Sequence, residues 1–385
     1  ATERQQSIPA AEHCHAHNVR VPNSLDEVQM LQSLGDSAFA RYLLGCFWYS
    51  KRRYDEAVSC WRETLEKSPD YAPAHRLLGV YSWNKQQDAT QARAYLQRAV
   101  ALEPDNARFL FELDFLQKLL ARPVHERLTT LVERKAVVLK RDDLTAELLS
   151  LWNASGHYAD AAAILDTRVF HPWEGGEGKI TGQYLLNQLH RALQFIERGA
   201  FKQATDCLKA ALRYPDNLGE GRLPGQTDND IWYLLGYCAE QAGDAQQAAE
   251  YYQLARQGGS TLDAGRYYND QPADYLFWQG IALRKSGNPA QAEQHFRHFI
   301  DWAAQHRDDV PQVDFFAVSL PDLVVLDVSA QQRHQQHCLF IEALGHLGLG
   351  NVSACQQRMQ QLLQINPAHD KAHLIRHALQ SGIFS

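Results

Sequence analysis

The chain has 385 residues, 45% hydrophobic and 22% charged, with a formal net charge of −7. That balance is ordinary for a folded protein, and the acidic surplus without a long basic run argues against nucleic acid as a partner. No stretch approaches the roughly 18 apolar residues of a membrane helix; Leu339 to Leu349 is broken by Glu342, Gly345 and His346. A cytoplasmic protein with no nucleic-acid and no membrane partner is expected.

Residues 1–23 read as an N-terminal tail. It opens on Ala1-Thr2-Glu3-Arg4-Gln5-Gln6, with no apolar signal region and no initiator Met, so the chain is expected to be a fragment of a longer protein. His13-Cys14-His15-Ala16-His17 holds metal-ligating types, but no second cluster of defined spacing accompanies it. No metal and no cofactor are expected. Ser24-Leu25-Asp26-Glu27 is a capping box that opens a short helix.

From residue 38 a small residue recurs in phase: Ala57, Ala92, Ala161, Ala204, Ala248, Ala292 and Cys355. In the later copies a glycine stands five residues earlier, at Gly156, Gly199, Gly243, Gly287 and Gly350. The first copy sets Leu44-Gly45 and Trp48 on one helix, then Tyr54, Ala57, Trp61 and Pro69 on the next. A later copy has Trp232, Leu235-Gly236, Ala248 and Tyr252. This follows most of the tetratricopeptide pattern W-x2-L-G-x2-Y…A-x3-F…P. The logic is steric. A small residue lets two helices approach closely, the side chain one turn on fills the space beside it, and the glycine supplies a left-handed residue after the first helix. Pro69, Pro104, Pro215 and Pro367 stop the second helices.

The expected fold is therefore all-α: a right-handed tetratricopeptide-like α-solenoid of about eight helix pairs, continuous over 24–380. Its units are 38–71, 72–106, a degenerate 107–141, 142–175, 185–218, 229–262, 273–306 and 336–369, followed by a capping helix over 370–380. The seven cysteines form no C-x-x-C and are expected to be free thiols. His369, His373 and His377, spaced one turn apart, are expected on a packed or solvated face.

A plain repeat of this kind is about 34 residues long, yet later copies are spaced 43 and 44 apart. The surplus falls in insert loops at 169–183, 213–228, 257–272 and 307–335. Gly178-Lys179, Gly221-Arg222 and Gly265-Arg266 recur in phase, so the loops are expected to line one edge. The candidate ligand- or partner-binding residues are His171, Trp173, Glu174, Glu177, Lys179, Asn217, Glu220, Arg222, Arg266 and Tyr267. Aromatic rings beside carboxylates and cations suit a sugar or a peptide. The same residues could equally pack each loop on its neighbour. No catalytic residue is assigned: no G-x-S-x-G, phosphate loop or dinucleotide fingerprint occurs, and Glu174 and Glu177 read as hydrogen-bond acceptors.

The runs Phe170-His171-Pro172-Trp173-Glu174-Gly175-Gly176-Glu177-Gly178-Lys179, Tyr214-Pro215-Asp216-Asn217-Leu218-Gly219-Glu220-Gly221 and Asp314-Phe315-Phe316-Ala317-Val318-Ser319-Leu320-Pro321 are more specific than any helix pattern. They resemble a bacterial family that joins an N-terminal galactose-mutarotase-like β-sandwich domain of unknown function to a C-terminal tetratricopeptide region. The resemblance covers nearly the whole chain, as the C-terminal part of a longer protein, and implies a helical partner to a carbohydrate-related module. The expected function is a non-catalytic scaffold for protein–protein or interdomain binding. The alternative is a direct contribution of the insert loops to a saccharide-binding or carbohydrate-processing site.

Overall fold

The structure, a computed structural model, describes residues 22–35, 37–264, 270–311 and 325–384. Among these residues the chain forms nineteen α-helices and no strand. It divides into two compact units: unit 1 runs to Leu116 and includes Val325–Asp327, and unit 2 comprises the rest.

Unit 1 begins with α1 (Leu25–Ser33), opened by the expected capping box. Ser24 Oγ accepts from the Glu27 N–H at 3.3 Å, and the Glu27 carboxylate accepts from the Ser24 N–H at 3.1 Å. Two helix pairs follow, α2 (Ala38–Ser50) with α3 (Tyr54–Lys67) and α4 (Ala72–Asn84) with α5 (Ala89–Leu102), and then α6 (Ala107–Leu119). The small-residue beat does what its sterics require. Ala57 and Ala92 are fully buried, as are Trp61 and Leu96 one turn on. Gly45 lies so close to Trp61 that a Cβ there would sit 2.3 Å from the indole nitrogen.

Unit 2 continues with the irregular second half of the third repeat, α7 (Val124–Glu133) and the short α8 (Lys135–Val138). Five pairs follow: α9 (Asp142–Ala154) with α10 (Tyr158–Leu165), α11 (Lys179–Glu197) with α12 (Phe201–Ala211), α13 (Asn229–Gln241) with α14 (Ala245–Ala255), α15 (Tyr275–Lys285) with α16 (Pro289–His306), and α17 (Ala330–Gly348) with α18 (Val352–Ile365). The turn glycines Gly156, Gly199, Gly243, Gly287 and Gly350 all hold φ between 68° and 82°. Two insert boundaries move. Residues 179–183 belong to the start of α11, which buries Ile180 there, and α17 starts at Ala330, where Ser329 caps it by accepting from the Gln332 N–H.

The last helix, α19 (Asp370–Gln380), packs on α18 and also reaches back to α9 and α11. Asp370 accepts from Ser150 Oγ of α9 and from Gln183 Nε2 of α11, both at 2.7 Å. Lys371 Nζ lies 3.2 Å from Asp274 and 3.6 Å from Asp230. Leu374, Ile375, Ala378 and Ile383 are buried, and Tyr233 of α13 donates to the Ile383 carbonyl at 3.1 Å. Residues 370–384 thus lie along the first helices of successive pairs and complete their core. The three spaced histidines are packed: His377 stacks on Tyr158 and His190, and His373 Nε2 bonds the Pro367 carbonyl.

Candidate functional site: the insert loops

The first insert is fixed at both ends by charge and by its successor. Arg168 donates to Asp142 through Nε at 3.1 Å and Nη2 at 2.5 Å, while the other Asp142 oxygen accepts from the His171 N–H at 2.9 Å. Asn217, from the second insert, donates its amide to the Leu165 and Arg168 carbonyls at 2.8 and 2.7 Å. It thereby satisfies carbonyls left open where α10 ends. The Phe170 N–H donates to the Asn217 carbonyl at 2.7 Å. Gly219, with φ 79°, closes this contact; a Cβ there would stand 2.6 Å from the Phe170 carbonyl oxygen. Asn229 treats the end of α14 in the same way, donating to the Ala255 and Gln257 carbonyls.

Glu220 reaches from the second insert to the start of α11. Its carboxylate accepts from the Gly178 N–H at 3.0 and 3.1 Å and from the Thr181 hydroxyl at 3.3 Å. An anion at a helix N-terminus satisfies open N–H groups and is favoured by the helix dipole. Glu177 accepts from the Gly175 N–H at 3.2 Å. Trp173 lies over the backbone of Gly176, where any Cβ would fall 2.0 Å from the indole.

Arg222 pairs with the buried Asp228 and donates to the Gln226 carbonyl. Lys179 is the first residue of α11, whereas Arg222 lies in loop ahead of α13, so the two in-phase cations stand in different local settings. Arg266 and Tyr267 lie outside the described residues. Lys179 is shifted down by desolvation; Glu147 opposes this and Lys118 adds to it.

Behind the inserts lies ionic chemistry that the sequence reading missed. Burial alone would raise the Glu147 carboxyl, but Lys118 at 2.8 Å and Arg127 at 2.9 Å hold it at about 2. Arg127 is only 1% exposed. In unit 1 the equally buried Glu112 accepts from Arg76 and Arg108. Glu112 and Glu147 are 35 residues apart, the same position in consecutive repeats, a phase that could have flagged them. Asp230 is pushed up to about 6 by burial, against Lys371 and with Asp274 and Asp228 adding.

Of the candidates, Asn217, Glu220, Arg222 and Glu177 are therefore engaged in holding the loops. His171, 80% exposed, and the exposed Glu174 face solvent on this braced insert, with Trp173 half-buried between them in sequence. Such a set can stack on a ring and accept or donate hydrogen bonds. Among the described residues, no group of three or more His, Cys, Asp or Glu is placed to hold a metal, and no helix is long and apolar enough to cross a membrane.

Residues 48–107 and 189–265 match the tetratricopeptide repeat family model. Among solved structures, the chain is similar to PilW, a widely conserved type IV pilus biogenesis factor, at 16% identity and TM-score 0.30, covering 56% of this chain and 90% of that one. It is similar to Naa15/Naa10 bound to HypK-THB at 15% identity and TM-score 0.38, covering 91% of this chain and 51% of that one. It is also similar to pilF of Pseudomonas aeruginosa at 15% identity and TM-score 0.24, covering 69% and 91%. With the helix pairs above, the repeat match makes the fold an all-α, tetratricopeptide-like solenoid.

Proposed function

We propose that this tetratricopeptide-like solenoid is a non-catalytic scaffold that binds another protein or domain through its insert loops. Residues 24–380 serve, in this reading, as the C-terminal helical part of a longer bacterial cytoplasmic protein. Its companion is a galactose-mutarotase-like β-sandwich domain encoded ahead of it. The single observation that carries the reading is the braced first insert. Its backbone is held by Asn217 and Glu220 from the next insert, while His171 and Glu174 are left exposed. Side chains on a pre-organised loop lose less freedom on binding. The half-buried Trp173 also offers an aromatic ring to a sugar, so a saccharide held between the insert and the companion is the second reading.

The test is a titration of this chain with the separately expressed β-sandwich domain, with and without oligosaccharides. Replacing His171 and Trp173 with Ala should weaken association at least about tenfold while leaving the helical signal unchanged. Arg222 is a poor choice for this test, because its loss would strand buried Asp228. Equal affinity for wild type and the double variant overturns the insert-edge reading. Sugar-dependent affinity favours the saccharide reading over simple docking.

A further inference from the structure

Trp83 and Asn84, at the end of α4 in unit 1, hold a short stretch from far along the sequence. Asn84 Nδ2 donates to the Val325 carbonyl at 2.9 Å, and Asn84 Oδ1 accepts from the Asp327 N–H at 2.9 Å. Trp83 Nε1 donates to the Asp327 carbonyl at 2.9 Å. All three bonds fall on main-chain atoms, which almost every residue type supplies. The Asn84 amide offers one acceptor and one donor to a passing backbone, as a neighbouring strand would. Between the two gripped residues, Leu326 is fully buried. Asp327 is exposed. The site therefore reads one apolar side chain and a main-chain pattern, and is indifferent to the identity of the flanking residues.

We propose that the end of α4 is a docking site for an extended segment of a partner protein with a leucine-like residue at its centre, and that Val325–Asp327 is its resident competitor. The resident stretch is what argues for the occupant: it shows the backbone form the site takes and the side chain it buries. Two of the three bonds lie at the solvent-exposed edge, where water can replace either partner. The covalent tether gives the resident stretch a high effective concentration, so a free segment competes at a disadvantage until the stretch leaves. This surface is separate from the insert loops, and its failure would leave the scaffold reading intact.

The experiment uses the full chain and a fluorescein-labelled peptide, Asp-Leu-Val-Val-Leu-Asp-Val-Ser, copied from residues 322–329. Leu326→Ala in the protein empties the apolar position, and peptide affinity should rise at least about tenfold over wild type. Adding Asn84→Ala should return it to the wild-type level or below, as should replacing the central leucine of the peptide with Asp. The His171/Trp173 double variant should bind like its parent. Circular dichroism checks the fold; if Leu326→Ala loosens unit 1, the peptide should raise its melting temperature, and the Asn84→Ala version should not respond. Affinity that ignores both Leu326→Ala and Asn84→Ala overturns the proposal. A concentration-dependent wild-type dimer that Asn84→Ala dissolves would also overturn it, by assigning the site to a second copy of this chain.

Discussion

Unit 1 and unit 2 are made by the same steric rule and finished differently. Ala57 under Trp61 and Ala292 under Phe296 are equivalent crossings, all four side chains fully buried. In unit 2 the long segment 370–384 lies along the first helices and contributes Leu374, Ile375, Ala378 and Ile383 to the core. In unit 1 the short stretch Val325–Asp327 lies against the end of α4, through three main-chain hydrogen bonds and one buried leucine. The difference lies in how much apolar surface each late segment covers: several buried side chains in unit 2, one leucine in unit 1.

The largest expected effect tests that contrast directly. Ending the chain at Pro367 removes α19 and its tail. Leu374, Ile375 and Ile383 lose their buried places, at about 2 kcal/mol each, and Lys371 no longer offsets Asp230 and Asp274. Unit 2 should lose its cooperative thermal transition. Leu326→Ala should instead disturb unit 1 only locally, with its helical signal retained. A truncated chain that melts like the full one would mean α19 is docked rather than integral.

A second contrast is in histidines. Among the described residues unit 1 has one, His75. In unit 2, His190, His295, His337, His369, His373 and His377 are all pushed down, first by burial, with His369 at about 4. A depressed imidazole binds fewer protons folded than unfolded. Its stabilisation is present above the unfolded value near 6.5 and is lost as pH falls through the folded value. Asp230 acts oppositely: raised to about 6, its contribution is lost as pH rises through that value. Six groups oppose one, so unit 2 should be less stable at pH 5 than at pH 7. Pulse proteolysis in urea at both pH values, with fragments mapped by mass, reads each unit. Earlier loss of unit 1 at pH 5 would contradict the assignment.

The helix pairs were legible because their determinants are local: a small residue, its partner one turn on, and a glycine at the turn. The capping box at Ser24 was legible for the same reason. The bracing of the inserts was not. Asn217 and Glu220 were read as candidate contacts, yet their partners, the Leu165 carbonyl and the Gly178 N–H, are main-chain atoms that leave no mark in a sequence. The return of α19 to α9 and α11 was hidden as well, because Asp370 and Lys371 look like any solvated helix start. Their partners Gln183, Asp230 and Asp274 stand about 100 to 190 residues away.

The smallest effect sharpens the comparison at the turns. Unit 2 places Gly243 at φ 82°, whereas the equivalent residues in unit 1 are Arg52 at φ 59° and Gln87 at φ 56°. Both precede the repeat's small residue by five positions, so the backbone geometry is imposed by the helix pair and the residue type must accept it. A left-handed conformation costs an L-residue roughly 1–2 kcal/mol through Cβ crowding. Glycine avoids that cost but loses more chain entropy on folding, by roughly 0.5–1 kcal/mol. Gln87 is exposed, so Gln87→Gly should remove strain without removing core, for a gain of about 0.5–1 kcal/mol. The reverse exchange, Gly243→Ala, meets no atom within 4 Å and should cost unit 2 about 1 kcal/mol by conformation alone. Urea unfolding of both variants measures the pair. A destabilised Gln87→Gly would mean that unfolded-chain entropy outweighs strain at this turn, and that unit 1 is no less well finished than unit 2.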